Sequence, residues 1–245
     1  EKWLKYQKKA VDQGILEEGF SMEKRLPIRI KQDNPVYAGL LEQTDEAVGH
    51  VLNTLDYLKL DKNTVVVFVS DNGGVSAGDD FATSNLPLRG GKGYQWEAGI
   101  RIPFFIKAPQ IENAVKKIHT PVTGADLFPT LLELASIENT TPVDGKSLVP
   151  LMEKKSLEER SLFWHYPHYG NQGGDPSAII RKGDWKLIHY FEDGKNEMYH
   201  LGEDMGETTN VFDQNTELGI ALKNELEQWL ETSGAKIPEK DLLHN

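Results

Sequence analysis

The run Val65-Val66-Val67-Phe68-Val69 constrains this chain more than any other stretch, because it stops abruptly at Ser70-Asp71-Asn72-Gly73-Gly74. Unbroken β-branched and aromatic residues predict a buried strand of an α/β sheet. Ahead of it, Tyr37 to Leu60 carries Leu40, Leu41, Val48, Val51, Leu52 and Leu55 at helical spacing. A helix feeding a buried strand is half of a βαβ unit. Asp71 and Asn72 then stand at the strand's C-terminal edge, where open α/β sheets bind their ligands. Two adjacent side-chain oxygens there are a candidate hard-cation site. Asp-Asn-Gly-Gly is equally ordinary turn chemistry, so this stretch alone leaves both readings open.

The next segment bears on that choice. Residues 71–101 are rich in glycine and polar side chains, with little periodicity, and a loop of that length is commonly functional. Inside it, Leu88-Arg89-Gly90-Gly91-Lys92-Gly93 sets one lysine among three glycines. Such a lysine has a mobile ammonium on a backbone that can approach an oxyanion closely. Arg89 and Arg101 either add forked anion donors or pair with Glu97 as ordinary loop cations. A P-loop is excluded, since no Ser or Thr follows Lys92 and the glycine spacing differs.

Further elements follow in order. Ile102 to Lys107 reads as a short buried strand, and Thr123 to Ala135 as a helix with Pro129 in its first turn. Composition shifts over 140–160, which divides the chain into 1–160 and 161–245. In the second part Ser177–Arg181, Trp185–Phe191 and Met198–Leu201 read as antiparallel strands separated by Gly-containing turns. Glu217 to Leu230 reads as an amphipathic helix. Residues 1–34 are charged and weakly patterned. Asp204 to Asn210 lacks EF-hand spacing and reads as a solvated turn. Phe163-Trp164-His165-Tyr166-Pro167-His168-Tyr169 suits either sugar stacking or a core seam, with His168 and His165 as candidate pocket residues.

Charge and composition exclude several functions. A net charge of -11 and a pI near 5.1 argue against a nucleic-acid binder, which needs a basic face. The chain has no cysteine, which removes disulfides, thiolate metal sites and cysteine nucleophiles. No run reaches transmembrane length, and the first residues lack the apolar core of a signal peptide. The chain does not begin with Met and reads as a piece of something longer.

Three segments together, Ser70-Asp71-Asn72-Gly73-Gly74, Leu88-Arg89-Gly90-Gly91-Lys92-Gly93 and Trp96-Glu97-Ala98-Gly99-Ile100-Arg101-Ile102-Pro103, resemble the sulfatases of the alkaline phosphatase superfamily. Tyr37 to Asp45, Ala125-Asp126-Leu127-Phe128-Pro129-Thr130, Gly183 to Ile188 and Asn196 to Leu201 extend the resemblance from about residue 36 to the end. It implies an α/β fold, part of an alkaline-phosphatase-like sandwich, with a small C-terminal antiparallel sheet and helix. It implies that Asp71 and Asn72 are ligands of a catalytic divalent cation, usually Ca²⁺, and that Lys92 contacts the sulfate group. His168, His165 and Arg101 are the further candidate substrate contacts. It also implies export from the cytoplasm.

The departure from the family pattern is large. The family's nucleophile is a formylglycine made in a C-x-P-x-R-type motif, and neither that motif nor its Ser form occurs here. The family's early Asp-Asp pair has no counterpart at the right place, Asp79-Asp80 falling after the metal motif. The chain therefore resembles the C-terminal half of a sulfatase, partnered by a missing N-terminal half and inactive alone. The expected substrate is a sulfate ester, carried by a sulfated carbohydrate or small molecule. Two competing functions stay open. One is a phosphoesterase or phosphonate hydrolase of the same superfamily, and the other is a glycan-binding relative without catalysis.

Overall fold

The structure is a computed structural model and describes residues 1–12, 19–78, 81–112 and 114–238. The chain forms two compact units, one from residues 1–44, 70–102 and 163–245, the other from 45–69 and 103–162. Mixed helices and small antiparallel sheets make an α/β fold, as the sequence implied. Among the described residues no helix is long and apolar enough to cross a membrane.

The first unit opens with helix α1 (Lys2–Asp12) and a hairpin of β1 (Phe20–Glu23) and β2 (Leu26–Arg29). Weak patterning hid this hairpin. Each strand has only four residues, and Pro27 sits inside β2 opposite Met22. Helix α2 (Pro35–Tyr57) begins in this unit. It starts two residues before Tyr37 because Asn34 caps it. The Asn34 carboxamide oxygen accepts the N–H groups of Val36 at 3.0 Å and Tyr37 at 3.1 Å, and Pro35 suits the first helical position. No residue of α2 is buried, and Leu40 and Val51 are more than half exposed.

The second unit holds β3 (Val66–Val69) and β4 (Phe104–Lys107), paired antiparallel with Val66 opposite Lys107. This corrects the expected buried strand and βαβ unit. No residue of β3 is buried, and Phe68 and Val69 are each 40% exposed. A continuous apolar run shows that a strand suits layers on both faces. A two-stranded ribbon supplies neither layer itself.

The unit's core lies elsewhere. Short helix α3 (Glu97–Ile100) belongs to the first unit, while α4 (Leu127–Leu134) and α5 (Val149–Met152) belong to the second. Leu148, Leu151 and Met152 pack with Phe104, Ile106 and Val122. Asp126, wholly buried, organises the turn before α4. It receives the fork of Arg160 on both oxygens, with Nη1 to Oδ1 at 2.7 Å. It also accepts the N–H groups of Thr123 and Lys146 at 2.8 Å each.

The first unit ends in a four-stranded sheet in the order β5 (Ser161–Tyr166), β6 (Ser177–Lys182), β7 (Trp185–Tyr190), β8 (Asn196–His200), followed by α6 (Thr216–Thr232). β6, β7 and β8 are antiparallel, as their turns predicted. Period-two alternation divides their side chains. Ala178, Ile180, Leu187 and Met198 meet Leu222, Leu226 and Leu230 of α6. Ile179, Ile188, Tyr190 and Tyr199 turn the other way, onto Trp96, Tyr94, Ala77 and Ile28.

Burial by itself would raise the Asp126 carboxyl, but Arg160 and the two N–H donors outweigh it and hold it below the ordinary carboxyl range. Its contribution to stability is therefore complete above the unfolded value near 3.9 and fades as pH falls through the lower folded value. Asp126→Asn leaves Arg160 without its buried counter-charge and should lower the unfolding free energy by about 3–5 kcal/mol. Urea denaturation at neutral and acid pH checks this. A variant as stable as the parent at pH 7 would contradict it.

Candidate functional site

Directly after β3 the backbone is fixed by its own neighbours. Ser70 Oγ donates to the Asn72 carbonyl at 2.9 Å, and Asn72 Nδ2 donates to the Gly73 carbonyl at 2.8 Å. The Gly73 N–H then donates to Gly99 O at 3.0 Å, and the Gly74 carbonyl accepts the Lys92 N–H at 3.0 Å. Asn85 Nδ2 adds a third tie, to the same Gly74 oxygen at 2.9 Å. Three separate stretches, 72–74, 91–92 and 98–99, thus meet main chain to main chain. Glycine is what allows it. A Cβ on Gly73 would lie 1.6 Å from the Ala98 carbonyl oxygen, and one on Gly91 would lie 2.5 Å from the Gly74 carbonyl oxygen. These glycines admit neighbouring backbone, where the sequence suggested that they admit ligand.

The loop carrying Lys92 is anchored from the sheet side. Lys186 on β7, wholly buried, sets its ammonium 2.8 Å from Glu207 Oε1 and 3.3 Å from Glu97 Oε1. Arg181 on β6 reaches Glu97 Oε2 at 3.3 Å. The second Glu207 oxygen accepts the Glu97 N–H at the start of α3. Burial pushes the Glu207 carboxyl up, against the pull of Lys186. Glu207 also has a left-handed backbone with φ 51°, held by Asp204, which accepts the N–H groups of Thr208 at 2.8 Å and Thr209 at 2.9 Å. The stretch expected to be a solvated turn therefore has a buried carboxylate at its centre, because Lys186 gives Glu207 a partner.

Arg89 is committed in the same way. It forks onto Glu23 (Nε to Oε2 at 3.1 Å, Nη2 to Oε1 at 2.8 Å), donates to Glu207 O at 3.0 Å and stacks 3.6 Å from the Trp96 ring. It is a structural cation, the second of the two readings left open, with Glu23 as its partner in place of Glu97. Trp96 Nε1 in turn donates to Glu197 Oε2 at 3.3 Å. Burial would raise the Glu197 carboxyl, but Lys195, Tyr199 and Tyr190 hold it down.

Asp71 is exposed, whereas Asn72 and Lys92 are half-buried. The Lys92 backbone is tied to Gly74, two residues beyond Asn72. Arg101 is exposed, 3.7 Å from Glu97, and its Nη1 contacts Met205 Sδ at 3.2 Å. His165 lies on β5, donating from Nε2 to the Lys236 carbonyl at 2.9 Å, its ring edge-on to Phe191. His168 is exposed after β5, edge-on to Tyr166. The stretch that follows it, at Gln172 and Gly173, packs on Gly93 beside Lys92. Asp79-Asp80 lies outside the described residues.

Asp71 and Asn72 offer hard oxygens of the kind Ca²⁺ takes, and Asn72 Nδ2 is turned to Gly73 O, which leaves the carboxamide oxygen for a cation. Among the described residues no three His, Asp or Glu side chains converge as a metal group. A shell of about six to eight oxygens is therefore fitted only in part. Sequence reasoning missed Lys186, Glu207 and Glu197. The available signal was parity, since Lys186 shares a strand face with Ile188 and Tyr190.

Residues 5–137 match the family model described as Sulfatase, and residues 91–233 match the one described as N-sulphoglucosamine sulphohydrolase, C-terminal. The chain is 35% identical to a protein named Sulfatase from Formosa agariphila over 245 aligned residues, which cover 88% of this chain and 42% of that protein. It is 36% identical to the steryl-sulfatase of Homo sapiens over 144 residues, 56% of this chain and 25% of that protein. The crystal structure of Ps i-CgsB in complex with a neocarrahexaose superposes with a TM-score of 0.66 at 27% identity, over 80% of this chain and 42% of that one. The chain thus spans less than half the length of each of these relatives.

Lys186→Met removes the ammonium and leaves two buried carboxylates facing each other. It should lower the unfolding free energy by about 3–5 kcal/mol, read by urea denaturation. Adding Glu207→Gln should recover part of that loss. A single variant within about 0.5 kcal/mol of the parent would show that the cluster does not hold the loop.

Proposed function

The chain belongs to the sulfatase family, and from that footing we propose that it supplies one side of the reaction centre of a sulfuric ester hydrolase acting on a sulfated carbohydrate. The observation that carries this reading is the Lys92 N–H to Gly74 carbonyl bond, which sets Lys92 next to Asp71-Asn72 on glycine-locked backbone. Lys92 places a positive charge against the ester's sulfate oxygens, where charge builds as the ester bond breaks. Asp71 and Asn72 hold part of a divalent cation's shell, Ca²⁺ by family resemblance. When bound, such an ion supplies Lewis-acid stabilisation of the same oxygens.

The remaining ligands and a formylglycine nucleophile would come from a preceding N-terminal half. The fractions of the relatives that the chain matches support this. The neocarrahexaose held by the solved relative supports a carbohydrate substrate. His168, exposed after β5, and Arg101 are the residues of this chain assigned to the sugar, with His165, whose Nε2 donates to the Lys236 carbonyl, as a further candidate. The reading includes an exported protein whose parts divide near residue 160.

In the complete protein, Lys92→Ala should lower kcat/KM for a sulfate ester roughly a hundredfold or more. Asp71→Ala should weaken Ca²⁺ binding measured by calorimetry, and chelation should abolish turnover. The present chain alone should not hydrolyse 4-nitrophenyl sulfate, and robust turnover by it would overturn the division of the centre. Cleavage of a phosphonate monoester in preference to a sulfate ester would replace the reading with the superfamily's phosphorus chemistry. Tight binding of a sulfated sugar without turnover would replace it with a binding module.

A further inference from the structure

Beside the Lys92 loop, within the first unit, lies a cavity of about 170 Å³ lined by Lys24, Arg25, Tyr94, Gly173, Gly174 and Asp175. A water's share of liquid volume is about 30 Å³, so the space takes a few waters or one small oxyanion. Lys24 and Arg25 are the tip of the β1–β2 hairpin, and Lys24 has a left-handed backbone with φ 50°. The Lys24 ammonium stands 2.8 Å from Asp175 Oδ2 and 4.5 Å from the Tyr190 ring centre. Arg25 Nη2 is 3.3 Å from Asp175 Oδ1 and donates to Gly174 O at 3.3 Å. One carboxylate therefore positions two cations, and among the described residues several of their N–H donors stay uncommitted.

Tyr94 supplies an independent sign of a ligand. The residue is only 4% exposed, its ring stacks on Trp96, and its hydroxyl has no hydrogen-bond partner among the described residues. A buried hydroxyl without a partner calls for a reason. The hydroxyl end of this ring points at the cavity wall, since a Cβ on Gly173 would lie 2.2 Å from Tyr94 Cζ. Burial raises this phenol, so it stays a proton donor. The wall is joined to the candidate centre. A Cβ on Gly174 would lie 1.9 Å from the Gly93 carbonyl oxygen, and Gln95 Nε2 donates to the Asp175 carbonyl. Tyr94 is two residues from Lys92, so their Cα atoms lie within about 7.6 Å.

We propose that this cavity is an anion subsite, where Arg25, Lys24 and the Tyr94 hydroxyl receive a second anionic group of the sugar, a sulfate or a carboxylate, next to the one at Lys92. The subsite rests on the sulfatase reading and narrows its substrate to a sugar with two or more anionic groups. Arg25 offers the forked geometry that planar carboxylates and tetrahedral sulfates accept, and Tyr94 adds one donor that a neutral sugar would reward less.

The test uses the complete protein and three disaccharides of one skeleton, carrying one sulfate, two sulfates, or one sulfate and one carboxylate. Arg25→Gln, at an exposed hairpin tip, should reduce the preference for a doubly charged over the singly charged probe, as a ratio of kcat/KM, by roughly tenfold. Tyr94→Phe, which keeps the ring, should reduce it in the same direction. The probe whose preference falls identifies sulfate or carboxylate. A parent with no preference for either doubly charged probe, or a preference unmoved by Arg25→Gln, overturns the subsite. If the parent turns over none of the probes, the sulfatase reading fails by itself, and calorimetric binding of the same probes decides the subsite by the same ratio.

Discussion

A single buried ammonium holds much of the first unit in register. Lys186, the second residue of β7, points into a fully buried space, where the carboxylates of Glu97 and Glu207 pair with it. Neither carboxylate would stay in that space alone, because an unpaired buried charge is expensive. Each member is thus a reason for the others to be there. The result is that the start of α3, and with it the loop that carries Lys92, is fastened to the sheet by charge as well as by the packing of Trp96 and Tyr94 with Ile179, Ile188 and Tyr199.

The second constraint is spatial. Where 72–74 meets 91–92 and 98–99, carbonyl oxygens occupy the positions that side chains would need. Backbone hydrogen bonds then fix the main chain from which the candidate side chains project. A group meant to stabilise developing charge gains from exactly such preorganisation, because it does not have to reorient as the reaction proceeds. Arg89 is held in another form: its charge serves Glu23, Trp96 and the Glu207 carbonyl, which makes it part of the architecture.

Elements with local causes were legible from residue order. The turns at Lys182-Gly183-Asp184 and Glu192-Asp193-Gly194-Lys195 separate strands whose alternation shows their two faces, and the structure keeps both. The Leu222, Leu226 and Leu230 stripe of α6 was equally plain. The β1–β2 hairpin was not, because four-residue strands with an internal Pro27 carry too little period to read. The burial of β3 was misjudged for a different reason. Apolar residues state a preference for cover, while cover itself depends on what lies on either side.

The identity of the family was contained in the order of the residues, since motifs and glycine spacing are properties of the chain itself. The tertiary structure alone decided which charges pair within the architecture. Arg89 and Lys92 stand three residues apart in a similar glycine-rich setting. One meets Glu23 across the fold and the other does not. Charge pairing acts through space, and residues distant in sequence become neighbours only when the chain has closed around them.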